Sequence, residues 1–62
     1  MKWNEILAVF EELSYSQGFY GRLLRNLKEI EINNPEQYED IKAEFEAQNF
    51  ESPVDLILYI EQ

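Results

Sequence analysis

The sequence predicts an all-α fold, a compact bundle of four short helices over about 2–14, 17–31, 35–48 and 53–61. Three observations carry the prediction. Apolar residues recur at spacings of three and four along most of the chain, the period of a helix with one buried side. These stripes are separated by short polar connections at Ser14–Gly18, Asn33–Asn34 and Gln48–Glu51. Two of the connections lead to a capping side chain followed by proline, Asn34-Pro35 and Ser52-Pro53, the order that starts helices.

The first helix is read from Trp3, Ile6, Leu7, Phe10 and Leu13, which share one side, with Glu5, Glu11 and Glu12 flanking or opposite. Glu11 and Glu12 fall at the negative end of the helix dipole, where a cation relieves them. Arg22 or Arg25 is the expected cation if the second helix folds back antiparallel. Ser16 is the expected N-cap of that second helix. Its stripe is Phe19, Leu23, Leu27 and Ile30, widened by Tyr20 and Leu24. The alternation Glu29-Ile30-Glu31-Ile32 has the period of a strand but is too short to overrule the stripe.

Asn34 as N-cap, Pro35 at the first helical position and Gln37 at the third form a capping-box pattern for the third helix. Tyr38, Ile41 and Phe45 are its buried side, and Glu36, Glu39, Asp40, Glu44 and Glu46 make the remainder strongly negative. Phe50 is expected to plug the core from the next connection. Ser52, Pro53 and Asp55 repeat the starting signal for the fourth helix. There Val54, Leu56, Ile57, Leu58, Tyr59 and Ile60 run nearly all the way round, the pattern of a helix central in its fold or covered by a second molecule. Leu56–Ile60 also suits a strand by propensity, but the preceding cap and the lack of a partner strand favour a helix. The predicted core is Trp3, Leu7, Phe10, Phe19, Leu23, Leu27, Tyr38, Ile41, Phe45, Ile57 and Ile60.

A chain of 62 residues is a single small domain, of a size that buries only about 60% of its unfolded surface. It has no cysteine and no histidine, so neither a disulfide nor a histidine- or thiolate-held metal is available to staple it. Hydrophobic residues make up 45% of it, which sets it apart from disordered compositions. The net charge of −8 opposes binding to nucleic acid and to anionic membranes. No stretch resembles a signal peptide or a membrane span, so the expected location is cytoplasmic.

Without cysteine or histidine, nucleophilic catalysis has no standard apparatus, and Ser14, Ser16 and Ser52 are accounted for as caps. The carboxylates of the third helix look evenly solvated, unlike the acid–base pairs of enzymes, which occupy contrasting environments. No calcium loop or zinc ligand set is present. No enzyme activity and no cofactor is expected.

Ser16-Gln17-Gly18-Phe19-Tyr20-Gly21-Arg22-Leu23-Leu24-Arg25 departs from the chemistry around it, holding both glycines and both arginines. Glycine in the first turns of a helix costs about 1 kcal/mol relative to alanine, so something should offset it. One account is packing, with Gly21 admitting the first helix closely and Phe19 in the core. The other is contact, with Tyr20, Arg22 and Arg25 exposed as a partner-binding surface, since Tyr and Arg are enriched at interface hot spots. Arg22, Arg25 and Lys28 at spacing three add a local cationic ridge.

Ser16 through Leu24 resembles a segment carried by small uncharacterised proteins encoded by phages and prophages of Gram-positive bacteria. The ending from Glu46-Ala47-Gln48-Asn49-Phe50 through Asp55 and Leu56 is similar in style to theirs, and the resemblance covers most of the chain. It implies a bacterial cytoplasm and a phage-related accessory role, and it carries over no catalytic residue. The expected function is a non-enzymatic interaction module that binds a protein partner or a second copy of itself as a homodimer. The alternative is an acidic nucleic-acid mimic, in which Glu36, Glu39, Asp40, Glu44 and Glu46 stand in for phosphates in a basic groove. Direct nucleic-acid binding through Arg22, Arg25 and Lys28 is opposed by the net charge.

Overall fold

Four helices and no strand make up the structure, a computed structural model that describes all 62 residues. They are α1 (Trp3–Ser14), α2 (Gly18–Asn33), α3 (Pro35–Ala47) and α4 (Pro53–Glu61). Helix α2 runs past its expected end and takes in Ile32, so the apolar–acidic alternation at Glu29–Ile32 is helical.

Local chemistry accounts for the helix ends. The Asn34 side chain accepts from the Gln37 N–H at 3.3 Å, while the Asn34 N–H donates back to Ile30 O at 2.8 Å. One residue thus closes α2 and opens α3, and Pro35 at the first position of α3 prevents the helix from running straight through. Ser52 Oγ accepts from the Asp55 N–H at 3.4 Å and caps α4. The expected cap at Ser16 is corrected: α2 is preceded by Gln17, which makes no side-chain cap bond. Ser16 Oγ instead donates to Leu13 O at 3.4 Å and finishes α1. Asn49 adopts φ 53 just beyond α3, a left-handed conformation that asparagine tolerates better than most residues.

The start of α1 is tied to the far end of the sequence. Glu5 reaches back to the Lys2 N–H at 2.7 Å, and the Trp3 N–H is taken by Glu46 Oε2 of α3 at 2.9 Å. A carboxylate from another helix therefore satisfies a donor that α1 leaves unpaired, at the end where its dipole favours negative charge. Glu46 is half-buried in this role, which corrects its assignment to the solvated acidic side of α3. The Trp3 indole N–H donates to Tyr38 Oη at 2.9 Å, and the Met1 N donates to Phe50 O at 2.6 Å.

Helices α1 and α2 form an antiparallel hairpin. Ser14 lies near Gly21, Phe10 stacks on Tyr20, and Leu7 shares a cleft with Leu24 and Leu27, so partners run in opposite order along the two helices. Helix α1 packs against all three others, whereas the backbone of α4 comes close to α1 alone and meets α3 through the Tyr59 and Phe45 rings. Of the two readings of α4, central in its fold or covered by a second molecule, the first is corrected. Only Leu56 of α4 is fully buried, and Val54 and Leu58 remain 62% and 59% exposed.

The core consists of Trp3, Ile6, Phe10, Tyr20, Leu27, Phe50 and Leu56. Half-buried Phe45 joins its aromatic members, with ring centroids 5.7 Å from Trp3, 6.1 Å from Phe10 and 6.5 Å from Phe50, and on its outer side meets exposed Tyr59 of α4 at 5.8 Å. Such edge and tilted pairs add about 0.5–1.5 kcal/mol each beyond area burial. Phe50 does plug the core from its loop. Phe19, placed in the core by the sequence, is corrected: it is 50% exposed.

Candidate functional surface

The functional question reduces to which way α2 faces, because the segment singled out by composition occupies its first two turns. Two stripes compete along α2: Phe19, Leu23, Leu27, and Tyr20, Leu24, Leu27. The Leu23–Leu24 doublet serves both. In the structure Tyr20 turns inward at 1% exposure, its ring stacked on Phe10 at 5.9 Å, and Phe19 turns outward. The expected exposure of Tyr20 is therefore corrected: this side chain is core, and the surface loses its aromatic from that position.

Arg22 and Arg25 are exposed as expected, and neither is within ion-pairing distance of an acid. The expected pairing with Glu11 or Glu12 does not occur. The one ion pair in the structure joins Lys28 to Glu31 at 3.6 Å. Lys28 also lines the cleft between α1, α2 and α3, together with Glu11 and Glu31. It lies about 120° round the helix from Arg22, because steps of three residues drift backwards at 3.6 residues per turn. The cationic ridge consequently has two members, Arg22 and Arg25.

Neither glycine is required by close packing. A β-carbon on Gly21 would stand 3.8 Å from the Ser14 Cβ, an ordinary contact, and one on Gly18 would meet the flexible end of Arg22, Nη1, at 3.4 Å. Neither glycine has positive φ.

The outer face of α2 is continuous. Gly18, Arg22, Arg25, Asn26, Glu29 and Asn33 follow one another along it, all exposed, flanked by Phe19 at one end and by Ile32 at the other, which is 68% exposed. Glu29 and Ile32 were not singled out by sequence. Their signal was the phase of the helix, which the leucine doublet conceals.

Tyr20 Oη is buried without a hydrogen-bond partner, at the back of an open cleft shared with Gln17, Phe19, Ile60 and Glu61. Burial raises its pKa above the ordinary 10.0, and the nearby Glu61 carboxylate raises it further. A phenol that holds its proton this firmly is a poor general base at neutral pH. On α3, Glu36, Glu39, Asp40 and Glu44 are exposed and free of ion pairs. No three acidic side chains converge as a metal site, and no helix is long and apolar enough to cross a membrane. No protein-family model, curated protein or solved structure matches the chain.

Proposed function

We propose that the chain is a non-enzymatic, phage-related interaction module of the bacterial cytoplasm, and that it acts through the outer face of α2, with Arg22 and Arg25 as the contact residues. One observation carries this: on a chain of net charge −8, two arginines stand exposed with no acid of their own chain against them. Unpaired guanidiniums offer planar, multiply donating contacts to carboxylates of a partner, and arginine is enriched where interfaces concentrate their energy. Tyr20 leaves this surface and becomes its support, since its ring fixes the phase at which the arginines face outward. The phage association rests on the resemblance of Ser16–Leu24.

The test compares immobilised wild-type chain with R22A/R25A in a bacterial cytoplasmic extract. A protein retained by the wild type and lost from the variant is the expected result. Equal retention by both overturns the assignment of the arginines.

A second function, the nucleic-acid mimic, is favoured by one feature of α3: Glu36, Glu39, Asp40 and Glu44 are all solvated and unpaired. Glu46 drops out of the mimic because it is committed to the Trp3 N–H. Binding through this surface would survive R22A/R25A, weaken steeply with salt and fail on charge reversal of Glu36 and Asp40.

A further inference from the structure

The outer face of α2 is complementary to itself. Turned end for end about the midpoint between Arg25 and Asn26, the helix sets Arg22 opposite Glu29, Arg25 opposite Asn26 and Gly18 opposite Asn33. Phe19 falls in the same layer as Ile32. Arg22 and Glu29 are seven residues apart, two helical turns, and so lie on nearly one line. Each of these residues is exposed, and the charged ones have no partner within the chain.

We propose that this face docks on the same face of a second copy, as an antiparallel pair with two-fold symmetry. Resting on the assignment of α2 as the contact surface, the pairing names its occupant. A two-fold interface sets a patch against itself, so it needs opposite charges at mirrored positions. Most of this surface fails that condition. On α3, Glu36, Glu39, Asp40 and Glu44 would meet their own copies, with Lys42 half-buried. The exposed apolar flank of α4 at Val54 and Leu58 runs beside Asp55 and Glu61, and α4 contains no cation.

Only α2 carries a free cation and a free acid at mirrored positions, Arg22 and Glu29, although Arg25, opposite Asn26 beside the axis, also lies next to its own copy. The pairing forms two Arg22–Glu29 contacts across the axis and brings Phe19 and Ile32 of different copies into common layers. A helix of 16 residues offers a contact about 24 Å long. That is at the small end for a specific interface, so the pair is weak and concentration-dependent.

Sedimentation equilibrium from low micromolar to millimolar concentration tests the pairing on wild type, R22E, E29R and R22E/E29R, with circular dichroism to verify each fold. The wild-type mass is expected to rise from 7.5 kDa towards twice that value. Each single reversal is expected to weaken the dimer about tenfold or more, and the double swap to restore it. E29R is the sharper arm, because it makes the chain less acidic and on net charge alone should favour association. A monomer at every concentration overturns self-association and leaves a different protein as the partner of α2, which the extract experiment detects separately. A dimer unaffected by either single reversal, or strengthened by E29R, overturns the pairing on α2.

Discussion

Two adjacent residues, Phe19 and Tyr20, decide what the surface of α2 contains, and the structure assigns them opposite to the sequence expectation. Either phase satisfies a three–four spacing, and the choice is made by tertiary contacts: Tyr20 has Phe10 to stack on. That contact is not visible in a one-dimensional pattern. Burial leaves the Tyr20 hydroxyl without a partner, and an unsatisfied buried polar group is a cost to folding. Tyr20→Phe should therefore keep the fold and raise stability by up to about 1 kcal/mol in urea unfolding.

The same substitution has a pH signature. A phenol whose pKa is raised on folding contributes stability that is fully present below its unfolded value of 10.0 and is lost as pH rises through the folded value. Wild-type stability should fall on the alkaline side of pH 10, and the fall should be shallower in Tyr20→Phe. An identical alkaline limb in both proteins would contradict the burial of this side chain.

Among the elements, the helices and their starts were readable because their signals are local. Asn34-Pro35 and Ser52-Pro53 cap α3 and α4 through side chains that reach only three residues ahead, so no knowledge of the fold is needed to place them. Ser16 failed as a cap because its hydroxyl had a competing acceptor behind it, the Leu13 carbonyl. The position of α4 was not readable either. Its apolar circumference suits burial on every side, and the structure buries Leu56 fully and Ile57 and Ile60 in part while leaving Val54 and Leu58 exposed.

Leu56→Ala should cost about 2–5 kcal/mol, a large share of the stability of so small a domain. Leu58→Ala on the exposed side should stay within about 0.5 kcal/mol. Thermal unfolding of the two variants separates them, and similar losses would mean that α4 is covered on both sides. Helix α2 also contains an unused gain. Gly21→Ala should stabilise by about 0.5–1 kcal/mol, because the added carbon meets Ser14 at an ordinary distance. A loss in the same urea assay would show a closer α1–α2 approach than the structure has.

At the scale of the whole molecule, α1 is the hub, with α2 and α3 wrapped on it and α4 attached along one side. The N-terminal turn is fastened by Glu46 and Tyr38 of α3. This arrangement leaves three distinct surfaces: an acidic one on α3, an apolar flank on α4 and the mixed outer face of α2. Composition located the third, since both arginines lie in one stretch of sequence. It could not supply Glu29 and Ile32, which join that face only once the helix phase is known.

The central proposal is that two copies of the chain meet through the outer face of α2. Amide NMR spectra recorded across a dilution series test this most directly, residue by residue. The signals of Gly18, Arg22, Arg25, Asn26 and Glu29 should shift with concentration while those of α3 and α4 stay still. Shifts confined to Val54, Leu58 and their neighbours, or none at millimolar concentration, would contradict it.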